Sequence, residues 1–226
     1  MTGEPFPLFS SFTRELSLGL FTKAHSQPTY EAIAKELGAQ SFARVNQIHG
    51  NRTVRISTPT NATVDADGMV TETSDLALCV TCADCQAFIV YAPERRVLGG
   101  LHVGWRGLIA GAIEEFFKTL EREFSITAGE TFVAAGPSLC MTCAEFSNPA
   151  RELPNVNTRF VRGRTVDLRG AAQERFEQSG VRPDRFERHG DCTRCLRDRY
   201  WTYRGGDQLS NAVVHTNVFA AALRRG

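Results

Sequence analysis

The sequence predicts an α+β fold in which a largely antiparallel or mixed β-sheet is sandwiched by helices. Two nearly continuous apolar runs, residues 76–82 and 86–92, are typical of strands that are covered on both faces. A clear amphipathic helix follows them, and strands and helices do not alternate strictly along the chain. We find no internal repeat or dividing linker in the 226 residues, so we expect a single domain, residues 1–226.

The first half of the chain contains one expected helix and several expected strands. Residues 28–38 have an early proline, apolar residues four apart and a final glycine, which indicates a short helix. Residues 42–49 and 53–56 are predicted strands, with Gly50-Asn51 as the turn between them. Residues 97–103 form a further strand after the two apolar runs.

The second half is predicted to begin with the amphipathic helix, starting near Gly107 and stopped by Gly129. Its apolar face and its charged face are separated at helical spacing. A buried strand over residues 131–136 follows. Asp167 is a plausible N-cap for a second helix that ends at Gly180, and residues 216–226 form a short terminal element.

Composition excludes several classes of partner. The formal net charge is +1, with 42% apolar and 23% charged residues, so a nucleic acid or an anionic membrane is not expected as a partner. The first residues lack the basic and apolar regions of a signal peptide, and no stretch approaches a membrane span. We therefore expect a cytoplasmic protein. The sequence does not determine its oligomeric state.

Seven cysteines need an explanation other than disulfides if the protein is cytoplasmic. Two C-x-x-C pairs, Cys140/Cys143 and Cys192/Cys195, could form a four-cysteine zinc site by count alone. Residues 144–191, 48 in all, separate the pairs, which is more than compact zinc ribbons allow. Spacing therefore favours buried or reversibly oxidised thiols over a second metal site.

Three separate segments each offer one good metal ligand: His49, Cys85 and His102. Two imidazoles and a thiolate suit zinc, and three protein ligands leave one tetrahedral position open, as in catalytic zinc sites. Each residue alone has an ordinary structural explanation, so the hypothesis depends on the fold bringing the three together.

An anion site is expected directly after His102. Gly104-Trp105-Arg106-Gly107 leads into the amphipathic helix, whose first backbone N–H groups favour an anion. The Arg106 guanidinium adds donors suited to phosphate. The alternative is a plain strand-to-helix turn with Trp105 in the core and Arg106 solvated. Upstream, Asp65-Ala66-Asp67-Gly68 resembles a calcium loop, but the twelfth position is Leu76 rather than glutamate, so a turn is favoured.

Several motifs occur in the order found in the laccase-domain, or multicopper polyphenol oxidoreductase, family. The chain resembles that family over roughly residues 40–205 through the following segments: NQIHG, DADGMVT, CVTCADCQAF, GLHVGWRG, AAGPSLCMTCAEF, VDLRGAAQERFEQSGV and CTRCLRDRYWTYR. The resemblance implies a single domain with a three-layer α-β-α arrangement. It also implies purine nucleoside phosphorylase activity with adenosine deaminase activity.

The resemblance assigns roles to individual residues. His49, Cys85 and His102 would be the zinc ligands, with Arg106 and Asp84 close to them. A purine nucleoside and phosphate would be the substrates, with phosphate bound by Arg106. Asp84 is the candidate for the acid/base group, or for the carboxylate that orients a ligand histidine. For deamination, zinc would lower the pKa of a bound water that attacks C6 of adenine.

The sequence departs from the family pattern at positions expected near the substrate. Cys82 replaces the usual threonine, Ala87 the usual proline and Gly205 an arginine, and the usual N-terminal arginine and glycine-rich loop is not recognisable around residues 21–23. The three metal ligands are retained. The sequence thus supports metal binding better than any particular substrate.

Two other activities stay open. A copper-binding polyphenol oxidoreductase is one, although a full multicopper apparatus needs about ten histidines and the chain has 5. Copper would still bind two histidines and a cysteine in place of zinc. The other is a hydrolase that edits peptidoglycan precursors, which the resemblance also permits.

Overall fold

The structure is a computed structural model that describes residues 6–26, 28–207 and 215–225. The ends of the predicted domain, residues 1–5 and residue 226, lie outside the described residues. The strands, in chain order, are β1 (Leu16–Phe21), β2 (Ser41–Asn46), β3 (Thr53–Arg55), β4 (Thr60–Asp65), β5 (Gly68–Thr71), β6 (Leu76–Cys82), β7 (Gln86–Ala92), β8 (Val97–Val103), β9 (Phe132–Ala135), β10 (Val161–Arg162), β11 (Thr165–Val166), β12 (Phe186–Arg188) and β13 (Asn217–Leu223).

Among the described residues, the α-helices are fewer than the strands. They are α1 (Tyr30–Glu36), α2 (Trp105–Ile109), α3 (Ala112–Phe124), α4 (Pro149–Glu152) and α5 (Leu168–Gln178). Short 3₁₀ turns connect several of these elements. Thr29 and Asp167 cap α1 and α5 by accepting backbone N–H groups of their first turns.

Two mixed sheets form the centre of the molecule. A five-stranded sheet has the order β1-β13-β6-β2-β4, and a six-stranded sheet has the order β12-β9-β7-β8-β5-β3. Each contains parallel and antiparallel neighbours. The predicted α+β class with a mixed β core is confirmed, and the β layer between the helices is two sheets thick.

The two sheets divide most of the hydrophobic core into three layers: one between the sheets and one on the outer face of each sheet. Leu78, Val80 and Phe219 of the five-stranded sheet meet Ile89 and Leu98 of the six-stranded sheet. Successive strand residues point to opposite faces, so the outer faces carry their own apolar side chains. α1 covers the outer face of the five-stranded sheet, and α3 and α5 cover that of the six-stranded sheet.

Three chain crossings between the sheets lie at one end of this sandwich. The chain passes from the first sheet to the second between β2 and β3, between β4 and β5, and between β6 and β7. β2, β4 and β6 run parallel, so their carboxyl ends lie at the same edge. β8 ends beside the start of β7, because Ala87 pairs with His102. The crossings and the end of β8 are therefore neighbours.

Two local predictions were wrong. β2 and β3 do not form a hairpin around Gly50-Asn51, since they belong to different sheets. The amphipathic helix is not continuous from Gly107: α2 ends at Ile109 and α3 begins at Ala112. Gly111 between them has φ 79°, a left-handed conformation that favours glycine and interrupts a helix. Among the described residues, no helix is both long and apolar enough to cross a membrane.

Candidate metal centre

The three proposed ligands meet at the edge where the chain crosses between the sheets. His49 lies in the β2–β3 crossing, Cys85 in the β6–β7 crossing and His102 near the end of β8. One ligating atom from each lies within 4.8 Å of the other two, and the two imidazole rings are perpendicular, with centroids 4.9 Å apart. His49 is exposed and His102 is buried. The cluster could bind a metal and is open on the side of His49.

Asp67 fixes the orientation of the buried imidazole. Its Oδ1 lies 2.8 Å from Nδ1 of His102, and His102 donates its backbone N–H to the Asp67 carbonyl at 2.8 Å. Because Nδ1 is occupied by this hydrogen bond, Nε2 is the atom of His102 left to ligate. A carboxylate behind a ligating histidine is a common feature of metal sites, where it sets the tautomer and raises the basicity of the ligand.

The same carboxylate holds the loop that carries His49. Backbone N–H groups of His49 and Gly50 donate to its two oxygens at 3.0 and 2.7 Å. His49 has φ 61°, a left-handed conformation that is uncommon outside glycine and that needs such support. Gln47 connects the same loop to β6. Its side-chain amide donates to the backbone carbonyl of Thr81 and accepts the backbone N–H of Thr81.

Hydrogen bonding at the centre favours the thiolate of Cys85. Burial would raise the pKa of this thiol, but hydrogen bonds with His102 and His49 outweigh burial and lower the pKa to about 6. Burial likewise opposes protonation of His102, while Asp67 and Cys85 raise its pKa to about 9. The thiolate is the form that binds metals.

Gly104 lets the backbone pass directly against two of the ligands. A Cβ atom at this position would lie 2.9 Å from Cδ2 of His49 and 3.1 Å from Sγ of Cys85. Both distances are shorter than ordinary van der Waals contact. The glycine after β8 is therefore required by the packing of the ligands.

Asp84 precedes Cys85 in the chain, but its carboxylate is hydrogen-bonded to the segment 193–204. Its Oδ1 accepts the hydroxyls of Thr193 and Thr202 at 2.7 and 2.6 Å, and its Oδ2 accepts the backbone N–H of Arg204 at 2.7 Å. The structure therefore corrects one suggestion for Asp84: the carboxylate that orients His102 is that of Asp67. Asp84 is buried, has φ 91° and connects the Cys85 turn to the segment 193–204.

Arg106 lies one turn beyond His102, in the five-residue helix α2. It is exposed, and its guanidinium lies over the Trp105 ring at 4.2 Å. Trp105 in turn contacts Phe146 edge-to-face, with ring centroids 6.0 Å apart. The expected continuous helix does not begin here, so an anion near His102 would depend on Arg106 more than on a helix dipole.

Asp67 is the residue of this centre that the sequence analysis missed. The segment that contains it was interpreted as a turn, which agrees with its place between β4 and β5. In the structure Asp67 directly precedes the fully buried strand β5 and is itself buried, a position that is rare for a carboxylate without a partner.

The fold and this site define an α+β protein with a His₂Cys cluster that could bind a metal. The family model described as multi-copper polyphenol oxidoreductase laccase matches residues 22–212. The chain belongs to this family.

Two curated relatives carry the same name. A Bacteroides thetaiotaomicron protein named purine nucleoside phosphorylase is 26% identical over 195 residues, which cover 79% of this chain and 66% of the relative. A Deinococcus radiodurans protein of that name is 33% identical over 111 residues, covering 48% of this chain and 42% of the relative. The matched segments thus span 42–66% of the length of these two relatives.

The fold is also found in solved structures. The crystal structure of YfiH from Bacillus licheniformis, described as a hypothetical protein, aligns with a TM-score of 0.78 at 16% identity. The alignment covers 94% of each chain. At this identity the similarity establishes the fold alone.

Proposed function

We propose that this protein is a zinc-dependent purine nucleoside phosphorylase, with adenosine deamination as a second activity of the same centre. The observation that carries the proposal is the convergence of His49, Cys85 and His102, whose ligating atoms lie within 4.8 Å of one another. The names of the Bacteroides and Deinococcus relatives support the choice of reaction.

The residues present fit a zinc ion. Two imidazole nitrogens and one thiolate are ligands that zinc prefers, and a supporting carboxylate is already hydrogen-bonded to one of the imidazoles. A zinc ion held by these three residues would supply Lewis acidity. The exposure of His49 leaves this side of the centre accessible to a small molecule.

Phosphorolysis breaks the bond between C1′ of the ribose and the purine nitrogen and forms a bond from C1′ to a phosphate oxygen. The purine nitrogen takes a proton as it leaves, and the proton that hydrogen phosphate loses on bonding to C1′ balances it. Arg106 is our candidate for holding the phosphate, because its guanidinium is exposed and offers paired donors one turn from His102. Its stacking on Trp105 limits its orientations, which lowers the entropy lost on binding.

For Asp84 we propose a positioning role. Its two oxygens already accept three hydrogen bonds from side-chain hydroxyls and a backbone N–H. A carboxylate that accepts this set of hydrogen bonds is fixed in place. It therefore acts on the reaction through the turn that carries Cys85 and through the wall formed by residues 193–204.

The direct test is turnover of inosine by purified zinc-loaded protein, with and without inorganic phosphate. We expect hypoxanthine and ribose 1-phosphate only when phosphate is present. His102→Ala should abolish turnover, whereas His25→Ala, which changes a histidine outside the centre, should not. Equal activity of the His102→Ala variant and the unmodified protein would refute the proposed site.

The same preparation distinguishes the other activities. Adenosine conversion to inosine without phosphate reports the deaminase reaction. Stoichiometric copper after copper-free expression, together with phenol oxidation, would replace the zinc proposal by the oxidoreductase one. Turnover of muramyl-amino-acid substrates without nucleoside turnover would favour the peptidoglycan-editing hydrolase.

A further inference from the structure

A second group of sulfur ligands lies apart from the His49–Cys85–His102 centre. The four-cysteine cluster consists of Cys140, Cys143, Cys192 and Cys195, whose sulfur atoms all lie within 4.8 Å of one another. Sγ of Cys195 is 3.8 Å from that of Cys140 and 3.6 Å from that of Cys143. The separation in sequence argued against such a site, but the fold brings the two C-x-x-C pairs together.

The two shortest sulfur–sulfur contacts, 3.6 and 3.8 Å, match the spacing around a tetrahedral zinc ion. Four thiolates at a Zn–S distance of about 2.3 Å are about 3.8 Å from one another, because a tetrahedron's edge is about 1.63 times its centre-to-corner distance. A disulfide would bring one pair to about 2.05 Å, and all seven cysteines are free. The arrangement is that of four ligands around one point rather than of two bonded pairs.

The cluster also has backbone donors of the kind that thiolates need. The backbone N–H of Cys140 donates to Sγ of Cys192 at 3.2 Å. Cys143 and Cys192 are buried, whereas Cys195 is exposed. Four thiols in contact, partly removed from water, have little reason to converge without a shared partner.

The position of the cluster explains what an ion there would do. Residues 189–207 contain no helix or strand, yet they supply Thr193, Thr202 and Arg204 to the carboxylate of Asp84. Few backbone bonds hold the start of this segment to the rest, among them Thr193 N–H to the Ser138 carbonyl at 3.2 Å. Cys192 and Cys195 belong to this segment, and Cys140 and Cys143 belong to the loop after β9.

We propose that the four-cysteine cluster binds one structural Zn²⁺, separate from the ion of the His49–Cys85–His102 centre. Four protein ligands close the coordination sphere, so this ion has no position for a substrate and its role is to fasten residues 192–204 against Asp84. Binding free energy at a closed zinc site is folding free energy. The proposal does not depend on which reaction the other centre performs.

The first test is the number of metal ions per chain in protein purified without an affinity tag that binds metal. We expect two zinc ions per chain, one in Cys85→Ser and one in Cys140→Ser/Cys143→Ser, which removes two of the four ligands. Cys79→Ala changes a buried thiol of neither group and should retain two. One zinc per chain in the unmodified protein, lost in Cys85→Ser, would overturn the proposal.

A second measurement covers the case in which the double variant does not fold. Zinc-edge X-ray absorption of the Cys85→Ser protein should report four sulfur neighbours at about 2.3 Å, and chelation of this zinc should lower the melting temperature. A mass spectrum of the intact protein that is lower than the fully reduced mass by two hydrogen atoms per cysteine pair would show disulfides instead. Iron with acid-labile sulfide would show a cluster of another kind. Either result would overturn the zinc assignment.

Discussion

Oδ1 of Asp67 lies 2.8 Å from Nδ1 of His102 while also accepting the backbone N–H of His49 at 3.0 Å. One carboxylate therefore positions two of the three proposed metal ligands. Asp67 lies in the crossing between β4 and β5. This crossing supplies no proposed ligand, but it holds His49 of the β2–β3 crossing and His102 of β8 in place.

Replacement of Asp67 should weaken metal binding without removing a ligand. We expect Asp67→Ala to bind zinc roughly 10–100-fold more weakly, because His102 loses its acceptor and the His49 loop loses the two backbone hydrogen bonds that Asp67 accepts. Competition with a chelator measures the change. Asp65→Asn is the matched control, since Asp65 is exposed; equal zinc affinity of Asp67→Ala and this control would contradict the assignment.

A methyl group at Gly104 should disturb the centre. Its Cβ would approach His49 and Cys85 to 2.9 and 3.1 Å, so one ligand has to move. Overpacking of this kind costs about 1–3 kcal/mol in the free energy of unfolding, and we expect zinc affinity to fall as well. Gly190→Ala provides the control, because nothing lies within 4 Å of a Cβ atom there. Unchanged zinc affinity in Gly104→Ala would show that the ligands do not approach so closely.

Removal of a hydroxyl that donates to Asp84 should destabilise the fold. Thr202→Val and Thr193→Val keep nearly the same volume but leave a buried carboxylate oxygen short of one donor. Each should lower the free energy of unfolding by about 1–3 kcal/mol, measured by denaturant titration. Because both hydroxyls donate to Oδ1, the loss of unfolding free energy in the double variant should differ from the sum of the losses in the two single variants. If the single and double variants all unfold with nearly the free energy of the unmodified protein, Asp84 does not connect the Cys85 turn to residues 193–204.

We expect replacement of Arg106 to weaken phosphate binding more than metal binding. If its guanidinium binds phosphate, Arg106→Ala should raise the KM for phosphate about 10–100-fold, the range expected when a charged hydrogen bond worth about 1.5–3 kcal/mol is lost. Zinc content should stay the same. Arg162→Ala, a change at another exposed arginine, should leave the KM for phosphate unaltered. A change in zinc content with an unchanged KM would assign Arg106 to the metal centre instead.

Local patterns were enough to predict much of the fold. The apolar runs became β6 and β7, which are buried except for the half-buried Thr81 of β6, and Asp167 caps α5. Both features depend on residues close in sequence, namely on periodicity and on a side chain that bonds its own first turn.

Features that depend on distant pairing were not accessible in this way. β2 and β3 looked like a hairpin because only a short segment separates them, but each finds its partners elsewhere in the chain. The contact between Cys140/Cys143 and Cys192/Cys195 likewise follows from the placement of β9 beside β12. The role of Asp67 depends on β4 and β5 meeting the end of β8, which no local pattern specifies.

The central claim is that His49, Cys85 and His102 hold one metal ion. Anomalous diffraction from crystals of the zinc-loaded protein, measured on both sides of the zinc absorption edge, tests it directly. We predict a peak about 2.0–2.3 Å from Nε2 of His102, from Sγ of Cys85 and from a ring nitrogen of His49. A metal peak confined to the four-cysteine cluster, with none among these three side chains, would contradict the account.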